Sequence, residues 1–184
     1  MFGSSKLKKI RNQTDIVFKT RFLRNLSLVE RYEFLQLCHR RKYKEGEYIY
    51  YQGDPGSGMY FIEEGRVQLL SEPGKQEKDD EKLSYVLEAP ESFGALSIGY
   101  ELRRMSSVKS LSKTTLLGFF QPDFSTLKDR HPKIAIKILE ELSMIALKQL
   151  ENTTEALIEA SGLSHAFSLQ FETFYRDKKD EPLL

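Results

Sequence analysis

The chain changes its hydrophobic period twice. Ile16, Val17, Phe18, Phe22 and Leu23 follow a helical pattern that begins around Thr14. Ser27-Leu28-Val29-Glu30 then reads as a capping box. In such a box the serine hydroxyl takes the amide of the glutamate and the glutamate carboxylate takes that of the serine, which satisfies two donors left open at a helix start. The pattern predicts a helix running to about Cys38. From Tyr43 the period shortens. "EYIYYQG" and "MYFIEEG" are rich in aromatic and β-branched residues and stop at Gly53 and Gly65, and "RVQLL" alternates as a half-buried strand does. "GDPGSG" (53–58) between the first two is a turn by its glycines and proline. After a charged hairpin tip over 71–82, "LSYVLEA", "SSVKSL" and "TTLLGFF" continue the strand series. Short strands with regular turns predict an antiparallel roll or barrel.

Beyond Pro122 the helical period returns. Asp123 is predicted to cap a short helix through Leu127, and Pro132 suits the first turn of a long helix reaching Ala160. Ile134, Ile138, Leu142, Ile145 and Leu150 lie along that helix, and Gly162 is placed to end it. Leu163, Phe167, Phe171 and Phe174 follow at spacings of four, four and three, which makes one apolar stripe. Three segments are expected: a flexible basic tail over 1–13, a domain over 14–161, and an amphipathic helix with its tail over 162–184.

Composition narrows the function class. The 184 residues are 40% hydrophobic and 30% charged, enough for one core. A formal net charge of +1 gives no global attraction to nucleic acid. The local basic groups, Lys6 to Arg11 and His39 to Lys44, read as solvated faces. One cysteine, Cys38, excludes an intramolecular disulfide and offers no structural zinc site; its helical spacing from Leu35 points to a buried thiol. No apolar run approaches the roughly 20 residues of a membrane span, and the first residues are too polar for a signal peptide. The expectation is a cytoplasmic protein with no membrane association and no metal. His39, His131 and His165 stand apart and match no catalytic pattern, so no enzyme and no catalytic residue is expected.

The residues then carry a resemblance. "KEGEYIYYQGDPGSGMYFIEEGRVQLL" resembles the cyclic-nucleotide-binding domain family in its Gly-Glu, Gln-Gly-Asp-Pro-Gly, Tyr-Phe-Ile and Glu-Gly stretches. "FGALSIGYELRRMSSVKS" is similar to that family's phosphate-binding cassette. The likeness covers roughly residues 18–160. It implies an α+β chain: an antiparallel double-stranded β-helix, or jelly roll, of eight strands, with N-terminal helices and a long C-terminal helix.

The resemblance also implies a ligand site. Aligning "RRMSSV" with the family's cassette puts Arg104 in the phosphate-binding place and Arg103 in a proline place. Phe93, Gly94, Ala95, Leu96, Met105 and Ser106 complete the implied ligand-binding set, chiefly through backbone amides aimed at an anion. Three positions depart from the family. Ala95 stands where a glutamate accepts the ribose 2′-hydroxyl, a loss of about 1.5–3 kcal/mol; Ser97, one turn on, offers a hydroxyl as a substitute. Met105 lacks the hydroxyl associated with guanine preference, which leaves cyclic AMP as the implied ligand. Pro90 stands in a usual glycine place.

Two readings follow. The first is a standalone cyclic AMP-type sensor signalling through its C-terminal helices to a protein partner or to a second copy as a homodimer. The second is a degenerate scaffold that binds no nucleotide and acts by protein–protein contact. DNA is not expected as a partner, because the residues after Gly162 hold no helix-turn-helix.

Overall fold

A computed structural model of the chain describes Ile16 and residues 18–71, 83–98 and 102–176, with side chains through Glu172. The predicted tail over 1–13 and most of the hairpin tip lie outside the described residues. The chain divides into two compact units, Met1–Leu142 and Ser143–Leu184.

In the first unit, Phe18 and Lys19 are helical and Arg21–Leu23 form a 3-10 turn. Helix α1 (Leu28–Gln36) begins at the predicted capping box, with Ser27 N–H donating to the Glu30 carboxylate at 2.7 Å and Glu30 N–H to Ser27 Oγ at 3.4 Å. Eight strands follow among the described residues: β1 (His39–Tyr43), β2 (Tyr48–Tyr50), β3 (Gly58–Glu64), β4 (Arg66–Leu70), β5 (Ser84–Glu88), β6 (Ser92–Phe93), β7 (Ser107–Ser110) and β8 (Thr114–Phe120). They form two four-stranded antiparallel sheets, in the orders β1-β8-β3-β6 and β2-β7-β4-β5. The expected α+β jelly roll is therefore present.

Strand β3 is buried on both faces, which its two alternating sets explain. Tyr60 and Ile62 join Val67, Phe93, Val108 and Leu116 in the core cluster of the sandwich. Phe61, on the opposite face, meets Phe22 and Phe34 edge-on at 5.9 and 5.8 Å, and Phe34 also packs on Phe119 at 4.6 Å. The helical layer thus closes one sheet from outside.

Strand β1, "HRRKY", has no apolar alternation and was not expected as a strand. It is an edge strand paired only with β8, where charged side chains block further pairing. Arg40 forms a bidentate pair with the buried Glu63 (2.6 and 2.7 Å), and Arg41 lies over the Phe120 ring. Strand β6 has two residues, too short for periodicity to mark.

Helix α2 spans Gln121–Arg130. Asp123 does not stand at its N-cap as expected. It sits in the first turn, and its carboxylate reaches back to the Phe120 N–H at 2.8 Å. Helix α3 (Pro132–Ser161) begins at the predicted proline. Its first turns are clasped by the N-terminal elements: Lys137 Nζ reaches both Glu30 oxygens at 2.8 Å, Asn25 Nδ2 donates to Lys137 C=O at 2.6 Å, and Arg24 pairs with Glu141 at 3.5 Å. Ile134, Ala135, Ile138 and Leu142 are buried.

The second unit carries the rest of α3 and helix α4 (Leu163–Arg176), separated by Gly162 at φ +86°. Gln170 Nε2 donates to Thr154 Oγ1 at 3.2 Å, and Ala166 is buried. Leu150, Leu163 and Phe167 are exposed. Of the residues along α3, Ile138 and Leu142 thus belong to the core, whereas Leu150 is exposed.

Candidate functional site

Two sequence motifs meet in space. The "GDPG" turn and residues 102–104 run side by side as a short antiparallel ladder. Gly53 N–H donates to Arg104 C=O (2.8 Å), Arg104 N–H to Asp54 C=O (2.9 Å), and Gly56 N–H to Leu102 C=O (2.8 Å). Arg103 Nη1 adds a bond to Gly53 C=O at 3.0 Å. The turn keeps its shape because Asp54 accepts from Tyr51 N–H at 2.8 Å and Gly53 takes a left-handed φ of +84°. Its role is to hold the backbone of Arg104.

The cassette forms the opposite wall. Phe93 ends β6, and Gly94 turns the chain at φ +77° into a 3-10 turn over Ala95–Ser97. Ser97 N–H and Ile98 N–H close that turn on Gly94 C=O and Ala95 C=O.

Between these walls lies the guanidinium of Arg104. The residue is 6% exposed. Nη1 donates to Ser97 Oγ at 3.1 Å and Nη2 to Gly58 C=O at 2.8 Å. The guanidinium carbon stands 4.2 Å from the centre of the Tyr50 ring. Nε is buried and has no hydrogen-bond partner. Among the described residues no carboxylate pairs with Arg104. Gly94 makes room for this arrangement: a Cβ there would come within 2.6 Å of Nη1. Gly56 does the same on the other side, where a Cβ would come within 2.6 Å of Leu102 C=O and collide with Ser97.

The electrostatics are one-sided. Removing a guanidinium from water is costly unless charge or hydrogen bonds replace the lost hydration. Two neutral acceptors and an aromatic face offset part of that cost, and one of its three nitrogens, Nε, is left with no acceptor. An anion would supply the opposite charge and the missing acceptor together. Burial pushes the Tyr50 phenol up to about 12, with Arg104 pulling the other way, so the ring under the cation is neutral at physiological pH. Burial also raises the Tyr60 phenol.

The sequence-predicted residues separate into two groups. Gly94 and Arg104 come into contact, and Ala95 and Leu96, both half-buried, lie in the turn that carries Ser97. The Phe93 ring instead joins the core, stacked on Tyr60 at 5.3 Å. Met105 is 90% exposed, and Ser106 is half-buried. The sequence did not reveal Tyr50 or the Gly58 carbonyl as neighbours of Arg104. Alternation in "EYIYYQG" puts Tyr48 and Tyr50 on one face but does not say what that face meets. Ser97, expected to offer its hydroxyl in place of a carboxylate, accepts from Arg104 through that hydroxyl.

No group of three or more His, Cys, Asp or Glu residues among the described residues could hold a metal ion. No described helix is long and apolar enough to cross a membrane.

Known proteins share this arrangement of elements. The family model described as a cyclic nucleotide-binding domain matches residues 40–131, which include both walls of the site. The cyclic AMP receptor protein of Thermus thermophilus is 35% identical over 103 residues, 55% of this chain and 45% of that protein. The human cGMP-dependent protein kinase 2 is 30% identical over 117 residues, 64% of this chain and 14% of the kinase. The chain thus spans less than half the length of either relative. The crystal structure of the Thermus thermophilus catabolite activator protein superposes with a TM-score of 0.63 at 29% identity, covering 76% of this chain and 62% of that one. The chain belongs to the cyclic nucleotide-binding domain family.

Proposed function

We propose that this chain binds a cyclic nucleotide of the cyclic AMP type, with Arg104 contacting its phosphate, and acts as a regulatory sensor in the cytoplasm. The observation that carries this reading is the buried Arg104 guanidinium, which has an orphaned Nε–H and no carboxylate partner among the described residues. A phosphodiester supplies both the missing charge and the missing acceptor. Met105 brings no hydroxyl beside the arginine, which favours adenine over guanine. The clasp of α3 by Glu30, Asn25 and Arg24 gives a change in the roll a route to that helix. The output is a protein partner or a second copy meeting the C-terminal helices.

A second reading is favoured by a different observation. Nη1 and Nη2 of Arg104 already have acceptors in Ser97 and Gly58, and Ala95 offers a ribose no carboxylate. On that reading the domain is a ligand-free scaffold for protein–protein contact.

Calorimetry with cyclic AMP and cyclic GMP separates the two. The sensor reading expects saturable binding, weakened by tens to thousands of fold in Arg104→Ala. Ala95→Glu should tighten it about tenfold or more. No heat with either nucleotide, in a folded chain, leaves the scaffold.

A further inference from the structure

Tyr50 has no place in the sequence-derived set of ligand-binding residues, yet it makes the closest aromatic contact of the site's cation. Its position is fixed from three sides. Strand β2 pairs with β7, with Tyr50 opposite Val108. The Tyr50 ring packs on Phe93 at 6.1 Å and on Tyr60 at 6.2 Å. Phe93 and Tyr60 are themselves stacked at 5.3 Å, and Tyr60 meets Phe120 edge-on at 5.6 Å. The ring is therefore the end of an aromatic row anchored in the core of the sandwich, with the guanidinium 4.2 Å from its centre.

We propose that Tyr50 is the positioning residue for the anion-binding Arg104: its ring supports the guanidinium and fixes the plane in which Nε and Nη1 meet an anion. This rests on the reading of Arg104 as the phosphate contact. The physical reason is freedom. An arginine side chain has several rotatable bonds, and only two of its donors are held by Ser97 Oγ and Gly58 C=O. A flat, rigid surface below the guanidinium removes tilting motions that two bonds leave open. It also stabilises the buried cation through the ring quadrupole without neutralising it, as a carboxylate would. The positive charge thus stays available to a ligand. The platform is neutral because burial holds the Tyr50 phenol far above physiological pH.

The test has one arm that needs ligand and one that does not. Calorimetry with cyclic AMP on the full chain should show Tyr50→Leu weakened about 5- to 30-fold, the range of a desolvated cation–π contact. Tyr50→Phe, which keeps the ring, should stay within about twofold of wild type. In an Arg104→Ala background, Tyr50→Leu should cost nothing further, whereas a purely structural role would cost the same in both backgrounds. The second arm is the Arg104 Nε–H resonance, assigned by its loss in Arg104→Lys. In wild type it should be shifted upfield by the Tyr50 ring current and exchange slowly with water. Tyr50→Phe keeps both features and Tyr50→Leu abolishes both. A wild-type resonance at the solvent position, or one unchanged in Tyr50→Leu, overturns the proposal. So does an affinity loss that persists without Arg104. An intact signature with no nucleotide binding instead overturns the sensor reading.

Discussion

The contact between Gly94 and Arg104 can be tested by adding one methyl group. Gly94 has φ +77°, where a side chain is strained by roughly 1–2 kcal/mol. An alanine Cβ would also stand 2.6 Å from Arg104 Nη1 and 3.2 Å from Gly58 C=O. The backbone carbonyl cannot retreat without breaking β3, so the guanidinium must move. Moving it breaks the bond to Ser97 Oγ, a charged-group hydrogen bond of about 1.5–3 kcal/mol. Gly94→Ala should therefore destabilise the chain by about 2.5–5 kcal/mol. Gly53→Ala is the control. Its φ is +84°, but nothing lies within 4 Å of its Cβ, so only the strain of roughly 1–2 kcal/mol applies. Urea unfolding followed by circular dichroism measures both, and the midpoints should separate the variants by about 1.5–3 kcal/mol. In an Arg104→Ala background that separation should shrink, because the colliding guanidinium is gone and only the 3.2 Å approach to Gly58 C=O remains. Equal destabilisation by the two substitutions in the wild-type background would refute the packing of the guanidinium against Gly94.

Three further predictions use groups away from the site. Glu63→Ala removes the carboxylate that holds Arg40 by two bonds and should cost about 1–3 kcal/mol in urea melts, less than the 3–5 of a fully buried pair because Arg40 reaches solvent; no loss would show the pair is idle. The Lys137 ammonium and the Ser27 amide hold the Glu30 carboxyl below its ordinary value of 4.5, so the stability it adds is present above that pH and lost as pH falls below it. Lys137→Met should flatten this part of the acid limb in melts between about pH 5 and 3, and an unchanged limb would remove Lys137 as the cause. Burial, with Asp123 adding a smaller push, raises the Cys38 thiol well above its usual value, and its sulfur lies 3.7 Å from Phe34 C=O. The thiol should react with a disulfide reagent at pH 8 only as the chain unfolds; rapid native-state labelling would place it in solvent.

Short-range patterns in the sequence determined much of this protein. The capping box at Ser27 and Glu30, the "GDPG" turn, the helix start at Pro132 and strands such as "MYFIEEG" are each encoded by neighbours a few residues apart, because local hydrogen bonds and side-chain alternation depend on little else. That Gly94 and Arg104 belong to one loop cluster was also legible, through the resemblance of "FGALSIGYELRRMSSVKS" to a known cassette. Tertiary structure alone decided that "HRRKY" is a strand, since an edge strand needs one partner and can be charged throughout. It likewise decided what surrounds Arg104. Gly58 lies 46 positions away in sequence and Tyr50 still further, and they reach the guanidinium only because β2, β3 and β7 occupy particular places in two sheets. Strand order follows from how the sheets close on a common core, and no local period records it.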